Sequence, residues 1–174
     1  MRHELLALIL FLVCGVHPVT GQSLVDAARR GDVAEVRRML KAGADPNVRA
    51  GVNDWPALLH AVHKHQLAAA AALLDGGADP NRGYPNNYTP LMMAAGYGHA
   101  DMVRLLLSRG AKTGIVDVDG ETALDLAYQG IPDIDRFTFF SCQDEAARLL
   151  RAADPALQPH QFARRWAKLK GCGG

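Results

Sequence analysis

The chain of 174 residues is short of net charge, of aromatic rings and of cysteine. Nineteen Lys and Arg stand against eighteen Asp and Glu, a formal charge of +1. No overall electrostatic pull toward nucleic acid or an anionic membrane follows from that, and no nucleic-acid partner is expected. Aromatic residues make up 6%, and the abundant Ala and Leu favour helices over sheets. No apolar run reaches the roughly 20 residues of a membrane-spanning helix. Catalytic signatures are missing too: no Gly-x-Ser-x-Gly elbow, phosphate loop, His-Glu-x-x-His or Cys-x-x-Cys pair occurs. The length fits one domain, and the reading is a non-enzyme without a cofactor.

The first 21 residues differ from the rest. They carry one Arg, an apolar run from Leu5 to Val13, and then small or turn-forming residues. That is the layout of a secretory signal peptide, with cleavage expected after Gly21. Cys14 is a poor lipid acceptor because Val13 precedes it, where a lipoprotein signal has a small residue. Membrane contact is expected only if Cys14 is lipidated nonetheless. Loss of Cys14 leaves Cys142 and Cys172, which can pair in an oxidising compartment. Two cysteines alone cannot make a tetrahedral zinc site. The expected location is periplasmic or extracellular. The short signal and the Ala- and Arg-rich composition point to a bacterial periplasm.

What the sequence does have is a period. GADPN stands at 43–47 and again at 77–81. Extended leftward, residues 27–43 (AARRGDVAEVRRMLKAG), 61–77 (AVHKHQLAAAAALLDGG) and 94–110 (AAGYGHADMVRLLLSRG) stay in step, at offsets of 34 and then 33. A fixed period of this size marks stacked helical units, each too small to bury its own apolar face. The third unit shows the physics. Thr89 can close a turn and Pro90 fits a first helical turn. Leu91, Ala94 and Ala95 make a short inner helix whose small residues allow close approach. Gly98 stops it, and Met102, Val103, Leu106 and Leu107 give the second helix an apolar face. GADPN then reads as a helix stop followed by the start of a finger, with Pro46 and Pro80 barring helix.

Residues 89–127 resemble the ankyrin repeat. Thr89, Pro90, Leu91, Ala94, Ala95, Gly98, His99, Val103, Leu106, Gly110 and Ala111 follow its pattern, and DGETALDLA at 119–127 opens another unit. The resemblance runs over about 23–150. It implies an all-α solenoid of four helix-turn-helix units with β-hairpin fingers, at about 23–54, 55–87, 88–120 and 121–153. A C-terminal helical tail at 154–174 follows. The family's His after Leu is replaced by Val25, Leu59, Met92 and Asp125, which implies the loss of one inter-finger hydrogen bond per unit. His65 stands where Gly31 and Gly98 stop the inner helix, at a cost of about 1 kcal/mol. His99 matches the family's loop-ordering histidine.

Two segments depart from the pattern. Residues 130–141 are an insertion in the fourth unit, either a cap in which Phe137, Phe139 and Phe140 pack on the solenoid end or a binding loop. In the tail, Phe162, Trp166 and Leu169 fall on one helical stripe, expected to cap the last repeat. Arg164, Arg165, Lys168 and Lys170 lie on the other faces, which leaves an anionic surface as the alternative.

The repeat resemblance implies binding of a protein partner through the concave face of fingers and inner helices. Where the four units differ on that face stand Asn53, Trp55, His63, Lys64, Tyr84, Asn86, Tyr88, Tyr97, Asp119, Glu121 and Tyr128. Tyr and Trp are favoured interface anchors, and this set holds most of the chain's Tyr and Trp. His60, His63 and His65 lack a nearby acid or cysteine to complete a shell, so no metal site is expected. The alternative, by family analogy, is an inhibitor of the immunity type or a helper of an exported enzyme or toxin. The protein is expected to be a monomer.

Overall fold

The computed structural model describes residues 21–51, 53–131 and 142–172. The signal-like leader up to Thr20 and the insertion's Phe137, Phe139 and Phe140 lie outside these.

The second, third and fourth units begin where an extended residue, Pro56, Thr89 or Thr122, precedes a short helix. Thr89 accepts the N–H of Met92 (3.2 Å) and Pro90 occupies the first turn, starting α5 (Pro90–Gly96). Thr122 does the same for α7 (Ala123–Gln129), whose Asp125 returns the bond to the Thr122 N–H at 2.7 Å. With α1 (Gly21–Arg30) and α3 (Ala57–His63), these are the inner helices, and each packs on the next. The outer row is α2 (Val33–Lys41), α4 (Leu67–Asp75), α6 (Ala100–Ser108) and α8 (Asp144–Ala153). Outer helices also pack in sequence order, so two parallel rows build the solenoid.

Small residues set the spacing. Ala27, Ala28, Ala61, Ala94, Ala95 and Ala127 are completely buried between inner helices. Leu24, Leu58, Leu59, Leu91 and Leu124 fill the interior from the inner row, and Val36, Leu73, Leu106 and Leu150 from the outer row. Surface ion pairs join the outer helices: Arg109 to Asp75 at 2.9 Å, and Arg104 to Glu145.

The repeated GADPN has a function that helix stopping does not explain. The Asn47 side chain donates to the Gly77 carbonyl (3.2 Å) and accepts the Asp79 N–H (2.8 Å) of the next unit. Asn81 repeats both bonds one unit on, to Gly110 (3.0 Å) and Lys112 (2.7 Å). Each Asn is thus a staple between consecutive repeats. The third copy has Gly114 in that slot. There Thr113 donates instead to Asp154, at 3.0 Å.

The left-handed helix stops are where the period placed them. Gly31 and Gly98 have φ of +76° and +72°, and His65 is forced to +55° at the equivalent site. His65 gains two contacts: Nε2 lies 2.7 Å from Asp101, and its ring stacks on His99 at 4.1 Å. The slot of the replaced histidine holds a bond the sequence did not show, made within its own unit. In the third and fourth units the slot still serves the Thr N–H, through the Met92 sulfur (3.3 Å) and Asp125.

Two further corrections concern the fingers and the tail. Among the described residues only the first finger forms a strand ladder, β1 (Arg49–Ala50) antiparallel to β2 (Trp55–Pro56). The other two close without a ladder, through Tyr84 N–H to Tyr88 O and Tyr88 N–H to Pro85 O in the second, and Asp117 N–H to Glu121 O and Gly120 N–H to Asp117 O in the third. The tail forms α9 (Gln161–Lys170), which packs on α7 where a fifth inner helix would lie. Its buried residues are Ala163 and Ala167, while Phe162 and Leu169 are 57% and 81% exposed. Close helix approach selected alanine, as in the other inner helices; Phe162 and Leu169 turn outward, while Trp166 is half-buried. Two ties hold the tail: the His160 N–H donates to Asp125, and Cys142 is disulfide-bonded to Cys172 with Cα atoms 5.9 Å apart.

Candidate functional site

The concave side is built from the fingers upward. Asn86 and Asn87 adopt left-handed backbone (φ +57° and +61°) and turn the second finger. That turn is bound to the third finger: Asn87 donates to the Val116 carbonyl, and the Val118 N–H donates to the Asn86 carbonyl at 3.1 Å. Asp117 holds the third finger's tip by accepting the N–H groups of Asp119 (3.0 Å) and Glu121 (2.9 Å). Glu121 in turn accepts from the Gln129 side chain at 2.6 Å. The fingers are therefore a fixed frame.

Between this frame and the inner helices lies a cavity of about 450 Å³, of a size typical for ligand sites. Aromatic rings wall it: Trp55 from the first finger, Tyr84 and Tyr88 from the second, Tyr97 from the end of α5. Met93, Leu126 and Ile131 supply its apolar surface, and Asp117, Asp119 and Glu121 its charge. Gly96 is necessary to this floor. The Ile131 side chain occupies the space where a Cβ on residue 96 would stand, and the Ile131 N–H donates to the Gly96 carbonyl at 2.8 Å.

The rings are coupled beyond the cavity. His63 lies edge-on between Trp55 and Tyr97, with ring centroids 5.6 Å from each. His60 packs against Trp55 at 5.4 Å. Burial, then Arg29 and His63, hold His60 below the usual histidine value, so it is neutral near pH 7. Burial foremost, with Tyr97, Asp117 and Glu121 adding, pushes the Tyr88 phenol upward, so it stays protonated. The hydroxyls of Tyr84 and Tyr88 are buried without a hydrogen-bond partner among the described residues.

Of the residues singled out in the sequence, Trp55, Tyr84, Asn86, Tyr88, Tyr97, Asp119 and Glu121 come together around this cavity. His63 stands behind it as a ring support. Asn53 is exposed at the first finger's tip, and Lys64 is exposed at the end of α3. Tyr128 does not join them. It is 2% exposed, lies under the Arg151 guanidinium at 5.5 Å, and lines a separate cleft of about 270 Å³ beside α9. The tail that covers it is not part of the repeat pattern, so the register alone left Tyr128 on the open face.

The sequence reading missed Asp117, Met93, Leu126 and Ile131 as cavity residues. Asp117 stands two residues before Asp119 in the third finger, but the letters do not give its neighbours across the face. Ile131 is the second residue of the insertion, and nothing in its letters places it over Gly96. Among the described residues, no three His, Cys, Asp or Glu side chains converge as a metal site, and no helix is long and apolar enough to cross a membrane.

Comparison with known proteins agrees with this architecture. A family model described as ankyrin repeats (3 copies) matches residues 24–117 and 72–137, together well over half of the chain. An ankyrin repeat-containing protein of Schizosaccharomyces pombe is 49% identical over 39 residues, which is 22% of this chain and 19% of that protein. The match thus spans about a fifth of the relative's length.

Proposed function

Since the chain belongs to the ankyrin repeat family, whose repeats are in general protein–protein interaction modules and typically not enzymes, we propose that it binds a protein partner through the concave cavity and its surrounding fingers. The observation that carries this reading is the ring-walled cavity itself. In a chain with 6% aromatics, one Trp and three Tyr residues meet at a single place on a stiff frame. Such rings bury much area at little entropic cost, which is why they anchor interfaces.

The setting we propose is an exported compartment, the periplasm in a bacterial source. The signal-like leader supports it, and so does the Cys142–Cys172 bond, which is of a kind that persists where glutathione does not reduce it. There the module would act as a monomer on an exported enzyme or toxin, as inhibitor or as helper. Mass spectrometry of the mature protein tests the location, with a chain beginning at Gln22 expected. A retained leader would contradict it.

Affinity capture tests the binding reading. Protein starting at Gln22 is used as bait on the source cell's envelope fraction, beside a Trp55→Ala, Tyr88→Ala, Tyr97→Ala variant of unchanged helical circular dichroism. A partner held by the native protein and lost by the variant is the expected result. A partner held equally by both removes the cavity from the interface. Assay of a captured enzyme with and without the protein then separates inhibitor from helper.

A further inference from the structure

Three properties of the cavity converge on one chemistry. The first is charge. Asp117, Asp119 and Glu121 line it, and among its described lining residues there is no cation. The guanidiniums of Arg49 and Arg82 sit 5.0 and 5.2 Å from the Tyr84 ring centroid and are not part of the lining. Arg49 is tied to Asp54. Among the described residues, then, three carboxylates line the space and no cation does.

The second is hydrogen bonding. Tyr84 is 8% exposed, and its hydroxyl has no partner among the described residues; the same holds for the hydroxyl of Tyr88. A buried polar group without a partner is costly. Carboxylates only accept, and phenols accept as well as donate, so acceptors outnumber donors among the lining side chains. A group that only donates complements it, and ammonium and guanidinium groups have donors and no acceptor.

The third is shape. Aromatic faces attract cations, and the apolar floor of Met93, Leu126 and Ile131 suits a methylene stem. A bare metal ion would gain nothing from that floor, whereas Lys and Arg bury their stems on apolar surface and keep their heads among polar groups.

Resting on the reading that this face binds a protein, we infer that the cavity takes a basic side chain, Lys or Arg, presented by the partner. The acidic finger draws the head group in, the rings enclose it, and the floor receives the stem. Arg also offers a planar fork for two acceptors at once.

The probes are Nα-acetyl-arginine amide and Nα-acetyl-lysine amide, with the norleucine and glutamate analogues as neutral and acidic counterparts. They are titrated into the Trp166→Phe protein, in which Trp55 is the only tryptophan of the mature chain, and its fluorescence is read. The basic probes are expected to saturate with an affinity on the order of tenfold above norleucine, and to weaken with added salt. An Asp117→Asn, Asp119→Asn, Glu121→Gln variant keeps an acceptor oxygen at each site and is expected to lose most of that preference. Norleucine binding as well as arginine, an unchanged preference in the carboxamide variant, or no saturation by either basic probe would each overturn the inference. Capture separates it from the reading beneath. A partner kept by the carboxamide variant but lost by the Trp55, Tyr88, Tyr97 variant overturns the basic side chain and leaves concave-face binding intact. A partner kept by both overturns concave-face binding itself.

Discussion

His65 shows how much one side chain can be asked to do. Its backbone is in the left-handed region at φ +55°, where Gly31 and Gly98 serve the neighbouring units. Replacement by Ala and by Gly removes the same contacts to Asp101 and His99 but differs in backbone strain. His65→Ala is therefore expected to be less stable than His65→Gly by about 1 kcal/mol in urea unfolding. His60 couples stability to pH. Its folded value is held below the usual 6.5 by burial and by the charges of Arg29 and His63. Above the usual value both folded and unfolded forms are neutral, and the group has no effect. As pH falls through it, the unfolded chain takes a proton that the folded one resists, so stability falls. Melting temperature is expected to drop between about pH 7 and pH 5, and His60→Gln to flatten that slope. Asp101 acts in a separate, lower window. Burial raises it, but the His65 and Met102 N–H bonds outweigh burial and hold it below 3.8. The strained stop at His65 was legible in the sequence, because the period shows Gly on either side. The ring contacts of His60 and His63 were not, since they depend on how Trp55 folds against α3 and, for His63, on Tyr97 of the next unit.

At the scale of elements, the period gave the order of helices and the positions of their stops, and the capping Thr and Pro residues gave their starts. Fingers were less legible. Their strand content depends on backbone pairing that letters specify weakly, and only the first has a ladder among the described residues. The GADPN recurrence was visible, but the role of its Asn was hidden because its partners lie one repeat further on. Each of Asn47 and Asn81 completes two backbone bonds across a repeat boundary. Asn47→Ala and Asn81→Ala are each expected to cost about 1–2 kcal/mol in chemical unfolding. Being in separate boundaries, they should add. The tail was misread at its surface. Period-based reading places large apolar residues inward, whereas α9 docks through Ala163 and Ala167 because an inner-row neighbour must come close.

On the scale of the whole molecule, stability is a sum of repeats and boundaries, and its ends need protection. At the C-terminal end α9 covers α7, held by the His160–Asp125 bond and by the disulfide across a separation of 30 residues. Closing a loop of that length stabilises by roughly 3–4 kcal/mol in the chain-entropy account. Reduction is expected to lower the melting temperature and to expose residues beyond Asp154 to limited proteolysis before the inner repeats. The solenoid and its concave face followed from the period. The cavity did not, because it is made by residues from three fingers and two inner helices and by Ile131 at the edge of the insertion.

The most direct test of the central claim is a hydrogen-exchange footprint of the protein with its captured partner bound. The account predicts slowed exchange in the second and third fingers, around residues 82–88 and 115–121, with α5 protected beside them and α4 and α6 on the convex row unchanged. Protection confined to the outer helices or to α9 would contradict it.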